Sequence, residues 1–271
     1  TLSELAAAYP DALLGPHRNE AGDYPLLVKI LFPHDKLSVQ VHPDDALAQK
    51  IGQPRGKTEC WYVLDAQPGA AVALGLKPDA TLEAMRQAIA DHSLEDLVEQ
   101  VPVIKGDMIF VDAGTVHAIG PGVTLLETQQ TSDITYRLYD YGRPRELHID
   151  RGLAATRLHT GAGKVTPKAE GARTRLIEQK YFTVDRLEVT PSAPFRSEPG
   201  LSGSQISELQ IGVPHTLVAV EGAAVLHAEG CEPVDLMAGR AVVVPAAIAG
   251  YQLESATPAT IIRSQPPASS T

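Results

Sequence analysis

Short runs of apolar residues recur along the chain and are separated by Gly, Pro or Asp. β-branched residues are frequent in these runs, for example in "LLVKILF" at 26–32, "CWYVL" at 60–64 and "RAVVVP" at 240–245. Short β-branched segments bounded by turn-forming residues are typical of strands. Many such strands with few helices predict an all-β fold built from jelly-roll sandwiches or barrels.

Two segments have the spacing of a helix instead. They are "TLSELAAAY" at the start of the chain and the stretch from 81 to 100. In the second segment Ser93 is followed by Asp96, which resembles an acidic variant of a capping box. We therefore predict a short helical insertion over about 79–102.

A weak internal repeat divides the strands into two lobes. "GDMIFVDAGTVHAIG" from Gly106 aligns with "GRAVVVPAAIAGYQL" from Gly239, and "CWYVLDAQPGAAVAL" aligns with "TLVAVEGAAVLHAEG". The aligned blocks stand farther apart in the first lobe, and the excess matches the length of the helical insertion. We predict a first lobe over 1–150, a link rich in Gly, Ala and Lys over 151–173, and a second lobe over 174–271.

Composition narrows the class of function. A formal net charge of −10 disfavours binding to nucleic acid or to an anionic membrane, so small-molecule chemistry is expected. The two cysteines, Cys60 and Cys231, form neither a disulfide framework nor a Cys-x-x-Cys motif, and no apolar run is long enough to span a membrane. We expect a cytoplasmic protein that is a monomer or a weak homodimer. The chain lacks an initiator Met, as expected of a fragment of a longer gene product.

The hexapeptide "LSVQVH" places three polar residues on one face of a strand. Ser38, Gln40 and His42 alternate with apolar residues, and the side chains of a strand alternate between its two faces. The exposed face of a half-buried strand would show the same alternation. The hexapeptide alone therefore does not separate a ligand-bearing strand from a surface strand.

A second segment, "GDMIFVDAGTVH", resembles the second metal motif of the cupin family, with Asp112 where Pro is usual. In cupins this hairpin points its histidine, here His117, into the barrel. Gln40 and His42 stand in for the histidine pair of the first cupin motif, and Glu59 supplies the carboxylate. Two imidazoles, a carboxylate and an amide suit zinc or another first-row divalent ion.

Longer motifs extend this resemblance from the cupin superfamily to one enzyme family. "LLVKILFPHDKLSVQVHPDD", "GKTECWYVLDA", "GTVHAIGPGVTLLETQQTSDITYRLYDYGR" and "RELHID" closely resemble the mannose-6-phosphate isomerases of type I in their short bacterial form. The resemblance is strong over about residues 1–150. It implies a double cupin fold, one zinc ion per chain held by Gln40, His42, Glu59 and His117, and conversion of mannose 6-phosphate to fructose 6-phosphate through a cis-enediol. Gly250 aligns with His117, so the second lobe is expected to be metal-free.

The same resemblance assigns roles to further residues. Arg137, Lys57 and Glu127 match active-site positions of the family, and Lys29, Ser38 and Arg143 match or approximate groups near the substrate phosphate. Arg137 would stabilise the negative charge that develops on the enediol, and Glu127, Lys57 or a metal-bound water would move the proton. Within the apolar run "LLVKILF", Lys29 is expected to need an anionic partner.

Two departures from the family pattern are visible. Relatives normally begin with a leading segment that contains Trp-Gly-Gly and Glu-Ser-Trp-Glu stretches, and this chain starts after the point where those would end. Ile119 replaces an aromatic residue that some relatives place two residues after the last histidine ligand. Two other functions remain open at this level: a cupin oxygenase that uses iron, and a non-catalytic cupin that binds a sugar phosphate.

Overall fold

The protein is described by a computed structural model that covers residues 1–18, 22–171, 173–191, 195–197 and 212–267. These residues form two compact units, which we call the first unit (Leu27–Val165) and the second unit (Thr1–Leu26 with Thr166–Thr271). Strands dominate both units, so the predicted all-β class is confirmed only as a mostly β protein, with short helices in both units. None of the helices in the described ranges has the length and apolar character that crossing a membrane requires.

The first unit is a sandwich of two antiparallel sheets. Its strands are β1 (Leu26–Leu31), β2 (Val39–Val41), β3 (Glu59–Ala66), β4 (Ala71–Leu76), β5 (Val98–Pro102), β6 (Met108–Val111), β7 (His117–Ile119), β8 (Val123–Gln130), β9 (Tyr136–Tyr139) and β10 (Gly163–Val165). The strand orders are β1-β8-β3-β6-β10 and β5-β4-β7-β2-β9. Trp61 and Leu125 of one sheet and Leu74 and Ile119 of the other share one buried cluster, so the core lies between the sheets.

Helices cover the outer face of the second of these sheets. These helices are α3 (Asp45–Lys50), α4 (Leu82–Ala90) and α5 (Ile149–Ala155). Two further helices, α1 (Leu2–Ala8) and α2 (Pro10–Leu14), belong to the second unit. Met85 and Ile89 of α4 and Leu153 of α5 pack with Val39 and Leu138 of the sheet. Burial of this apolar face explains why α4 forms where the sequence has helical spacing.

The predicted helical insertion is shorter than expected. The helix ends at Ala90, His92 adopts a positive φ of 66°, and a 3-10 helix (Leu94–Leu97) and the strand β5 follow. The capping box at Ser93 is wrong, because its hydroxyl donates a hydrogen bond of 2.5 Å to Asp91 Oδ1 and caps no backbone group. A side chain that bonds locally in this way competes with helix continuation.

The second unit is also a two-sheet sandwich. Its strands are β11 (Lys168–Glu170), β12 (Arg173–Glu178), β13 (Thr183–Val189), β14 (Phe195–Ser197), β15 (His215–Glu221), β16 (Ala223–Ala228), β17 (Val234–Met237), β18 (Ala241–Val244), β19 (Tyr251–Glu254) and β20 (Ala259–Gln265). The strand orders are β11-β12-β13-β20-β15-β18 and β14-β19-β16-β17. Leu187, Leu217 and Ile261 of one sheet pack with Leu226 and Leu253 of the other.

The described strands form four open sheets, and none of these closes into a barrel. The structure also divides the chain differently from the predicted boundaries. Residues 1–26 group with the second unit, where the backbone N–H of Ala246 donates to Leu13 O (3.1 Å) and that of Ala247 donates to Ala12 O (2.9 Å). These contacts join residues more than 230 positions apart, so local sequence patterns do not reveal them.

The predicted link over 151–173 is not a structureless connection. It contains the end of α5 and the strands β10 and β11. Ala172 of this link lies outside the described residues, and so do residues 192–194, 198–211 and 268–271 of the predicted second lobe. Strand β10 pairs with β6, and β11 pairs with β12. Strands of three residues are too short to show a period of two, and their backbone hydrogen bonds to a longer neighbour decide their conformation.

Candidate active site and metal centre

Three buried residues from three separate segments converge in the first unit. His42 follows β2, Glu59 begins β3 and His117 begins β7, and all three side chains are buried. One potential ligand atom from each lies within 4.8 Å of the others. The Nε2 atoms of His42 and His117 lie 3.5 and 3.4 Å from the two carboxylate oxygens of Glu59. This cluster, which we call the His-Glu-His cluster, has the composition of a metal site.

Both imidazoles are oriented by backbone carbonyl groups. His42 Nδ1 donates to Ile134 O at 2.8 Å, and His117 Nδ1 donates to Thr115 O at 2.9 Å. These hydrogen bonds place the hydrogen on Nδ1 and leave the Nε2 lone pair directed at Glu59. Burial lowers the pKa of both histidines, and the Lys57 charge lowers it further, so the neutral form that binds metals is favoured.

Glu59 remains ionised in this enclosed position. Burial opposes its ionisation, but the Lys57 ammonium outweighs burial and holds the pKa of Glu59 well below its usual range. Lys57 Nζ donates to Glu59 Oε2 and, at 2.9 Å, to His42 Nε2. The Trp61 indole donates to Glu59 Oε1 at 3.1 Å. The carboxylate is therefore both charged and fixed in orientation.

Gln40 lies beside the same cluster. It is opposite His117 on the neighbouring strand, and its Nε2 donates to His117 Nε2 at 3.2 Å. Ser38 Oγ donates to Gln40 Oε1 at 3.3 Å. The two ends of an amide have the same shape, so turning the amide over presents Oε1 to the cluster instead.

The donor set fits a divalent cation. Both Nε2 lone pairs and both carboxylate oxygens of the cluster face a donor hydrogen or the Lys57 ammonium. A divalent ion would supply positive charge to the same lone pairs and carboxylate oxygens. Two neutral imidazoles with a carboxylate and an amide oxygen are ligands that first-row ions accept. The residues present therefore fit a first-row divalent ion of the kind that the sequence resemblance implies.

A second charged group lies on the adjoining strands. Lys29 Nζ is 2.6 Å from Glu127 Oε2 and donates to Gln129 Oε1 at 2.5 Å. Burial raises the pKa of Glu127, and the negative charge of Glu59 raises it further. Trp61 is opposite Glu127 in the strand register, which places Glu127 beside the strand that carries Glu59. The anionic partner expected for Lys29 is thus Glu127.

The arginines predicted from the family motifs lie on and after β9. Arg137 is opposite Gln40 on the next strand, and its Nη1 donates to Glu146 O at 2.8 Å. Arg143 donates to Lys36 O (2.9 Å) and to Asp140 O (3.1 Å), and these partners lie outside the His-Glu-His cluster. The structure therefore places Arg137 next to a candidate ligand strand, while Arg143 is bound to Lys36 and Asp140.

Three residues of this region were not predicted as functional. Trp61 orients Glu59, Gln129 holds Lys29, and buried Asp140 pairs with Arg143 (2.7 Å) and Arg145 (2.6 Å). Strand alternation could have indicated Gln129, because it lies two residues after Glu127 and therefore on the same face of the strand. For Asp140, the flanking arginines were the only local indication.

Comparison with known proteins finds similar sequences over most of the chain. The family model described as the catalytic domain of type I phosphomannose isomerase matches residues 1–86. Mannose-6-phosphate isomerase of Streptococcus mutans is 36% identical over 259 residues, which cover 90% of this chain and 77% of the relative. This chain belongs to the mannose-6-phosphate isomerase family.

Other members of the mannose-6-phosphate isomerase family give the same result. Mannose-6-phosphate isomerase ManA of Bacillus subtilis is 39% identical over 191 residues, or 66% of this chain and 60% of the relative. A crystal structure of a mannose 6-phosphate isomerase from Bacillus subtilis superposes with a TM-score of 0.82 at 28% identity, covering 97% of this chain and 81% of that one. The predicted family and the predicted enzyme class, an isomerase, are confirmed.

Proposed function

We propose that this chain interconverts mannose 6-phosphate and fructose 6-phosphate with one zinc ion held by Gln40, His42, Glu59 and His117. The observation that carries the proposal is the His-Glu-His cluster, in which both imidazoles are held with Nε2 directed at one ionised carboxylate. When bound, zinc supplies Lewis acidity that polarises the sugar oxygens at C1 and C2. Membership of the isomerase family identifies the sugar phosphate as the substrate class.

Glu127 is the group that we assign to proton transfer between C1 and C2. The pKa of this carboxyl group is raised toward neutral pH, and a general base works most efficiently when its pKa lies near the pH of the reaction. Lys57 is the other candidate from the sequence, but its ammonium is neutralised by Glu59 and held in that ion pair. Lys57 is better suited to stabilise negative charge on the enediol oxygens than to accept a proton.

Arg137 adds a permanent positive charge to this arrangement. Its side chain is mostly buried, and its backbone pairs with Gln40. A guanidinium held in a water-poor site stabilises a developing oxyanion more strongly than the same group in solution. We assign Arg137 to stabilising the negative charge that develops on the enediol oxygens.

Lys29, Ser38 and Arg143 are the proposed contacts of the phosphate group. Lys29 is 35% exposed and uses two of its three ammonium hydrogens on Glu127 and Gln129, so a third remains for an anion. Ser38 is buried and now bonds Gln40, whereas Arg143 is 36% exposed. Of the three, Lys29 is the residue that contacts the assigned base, Glu127.

The two-sheet sandwiches support a double cupin architecture, with catalysis in the first unit and no metal in the second. Each unit buries one core between two antiparallel sheets, as a jelly roll does. Within the described residues, the one group of His, Cys, Asp or Glu able to hold a metal is the His-Glu-His cluster. Gly250 supplies no ligand at the position that aligns with His117.

A coupled assay that follows fructose 6-phosphate formation from mannose 6-phosphate tests the proposal. We expect turnover that a chelator abolishes and that added zinc restores. The matched control is His92→Ala, which removes a histidine of the same unit from outside the cluster and should retain zinc-dependent turnover. Absence of turnover in the zinc-loaded chain would contradict the proposed reaction, and turnover unaffected by the chelator would contradict the proposed metal.

A further inference from the structure

Gln129 is a buried amide on the interior face of the sheet that carries Glu59. It is opposite Glu59 in the strand register and lies two residues after Glu127 on β8, so it shares a face with both carboxylates. Its side chain is 0% exposed. The Glu59 carboxylate accepts from Lys57 and from the Trp61 indole. The hydrogen bonds of the Gln129 amide lead instead to a different group.

These hydrogen bonds determine which way the Gln129 amide points. Its Nε2 donates to Gln130 O at 2.9 Å and to Ser132 O at 2.8 Å, so both amide hydrogens are used on backbone carbonyls. Its Oε1 accepts from Lys29 Nζ at 2.5 Å. Turning the amide over would direct its N–H groups at an ammonium and its oxygen at two carbonyl oxygens. The oxygen is therefore fixed toward Lys29.

Lys29 is held by two acceptors at once. Its Nζ lies 2.6 Å from Glu127 Oε2 and 2.5 Å from Gln129 Oε1, and both acceptor side chains are buried. A single ion pair fixes a long lysine side chain poorly, because the ammonium can turn about its one partner. The second acceptor removes that freedom. Since both acceptors lie in the interior, the third ammonium hydrogen is directed away from them, toward the exposed part of the side chain.

We propose that Gln129 is a positioning residue of the isomerase site, which fixes the Lys29 ammonium so that its third hydrogen meets the phosphate group of the substrate. The inference rests on the proposed function, because that function assigns Lys29 to the phosphate. Gln129 acts through Lys29 and not by contact with the sugar phosphate. An ammonium that is already fixed loses less side-chain freedom on binding an anion, so it binds the anion more tightly.

A purely structural role for Gln129 would lie in its two bonds to the carbonyls of Gln130 and Ser132. Loss of those bonds would lower the stability of the chain after β8 whether or not residue 29 is a lysine. Substitutions at positions 129 and 29 are therefore combined in one double-mutant cycle. Coupling between the two positions reports action through Lys29, and a structural role gives none.

Isothermal titration calorimetry of the zinc-loaded full chain with glucitol 6-phosphate measures this coupling. The ligand has a phosphate group but no carbonyl group, so its affinity can be measured whether or not the chain catalyses isomerisation. Lys29→Met should raise the dissociation constant roughly 10- to 100-fold, because a charged hydrogen bond is lost. Gln129→Met, which keeps the length of the side chain, should raise it roughly 3- to 10-fold. The double variant should have the same dissociation constant as Lys29→Met alone.

Gln130→Met is the matched control. This neighbouring buried glutamine accepts from Thr58 N and donates to Asp45, so any effect of its substitution should simply add to that of Lys29→Met. Gln129→Asn, which shortens the amide by one methylene, is the second variant if Gln129→Met does not fold, and its effect should likewise disappear when Lys29 is replaced.

Additive effects of the substitutions at 129 and 29 would overturn the inference and leave the proposed function standing. A dissociation constant in Gln129→Met equal to that of the wild type would do the same, provided that Lys29→Met weakens binding. Unchanged affinity in Lys29→Met would overturn both the inference and the assignment of Lys29 to the phosphate.

Discussion

Lys29 Nζ lies 2.6 Å from Glu127 Oε2, and the two side chains differ sharply in exposure, 35% for the lysine and 6% for the glutamate. The carboxylate faces the interior near Glu59, while the ammonium extends toward solvent and is fixed by Gln129. The pair therefore couples a buried group suited to proton transfer with a partly exposed cation suited to an anionic substrate.

Lys29→Met should shift the acid limb of the kcat/KM profile to higher pH. Burial and then Glu59 raise the pKa of Glu127, and Lys29 opposes this rise. Without the ammonium the pKa rises further, so a base that works deprotonated loses activity at a higher pH than in the wild type. A pH-rate profile should show a shift of about one pH unit. Lys164→Met, which breaks the ion pair with Asp107, is the control, and an unmoved acid limb would argue against Glu127 as the base.

Arg137→Ala should lower kcat by roughly two to three powers of ten and leave zinc bound. The guanidinium is assigned to the transition-state charge, whereas the proposed zinc ligands are other residues. Steady-state kinetics together with metal analysis of the purified variant checks both halves. Arg151→Ala removes an exposed arginine from α5 and should behave as the wild type. A nearly normal kcat in Arg137→Ala would rule out the assigned role.

Trp61→Phe should weaken zinc binding by about 10- to 100-fold. The indole N–H orients Glu59 through a 3.1 Å hydrogen bond, and phenylalanine keeps an aromatic ring but has no donor. Competition against a chromophoric chelator measures the affinity. Tyr62→Phe, the neighbouring buried aromatic residue, should leave the affinity unchanged. Equal zinc affinity in Trp61→Phe and the wild type would mean that the indole does not support the ligand.

His215 should make the protein less stable as the pH falls below about 6.5. Burial, and next the charge of Arg263, lowers the pKa of His215 to about 3 in the folded state. Between these values the unfolded chain binds a proton that the folded chain excludes, so the free energy of unfolding decreases toward acid by up to about 1.4 kcal/mol per pH unit. Below pH 3 this contribution levels off.

Denaturant unfolding of wild type and His215→Gln between pH 4 and pH 7 isolates this effect. Because His42 and His117 also have lowered pKa values, only the difference between the two proteins reports on His215. The variant should show a slope smaller by about one proton. Parallel pH dependences would contradict the assignment.

The candidate metal ligands could be proposed from sequence only through the family motifs, because the alternation in one hexapeptide fits a surface strand equally well and Glu59 lies outside both local patterns. Alternation in "LSVQVH" places Gln40 and His42 on one face, and the hairpin of "GDMIFVDAGTVH" delivers His117. The repeat likewise pointed to two similar units, since aligned blocks adopt the same strand pairing. These features depend on spacing within one strand or hairpin, which the order of residues determines.

Tertiary structure decided the rest. Residues 1–26 group with the second unit, the pairing of Lys29 with Glu127 joins β1 to β8, and the pairing of Arg263 with Asp185 joins β20 to β13. Each of these depends on which distant strands become neighbours. That choice is made by burial of apolar faces and by the sum of many backbone hydrogen bonds, so no single segment contains it.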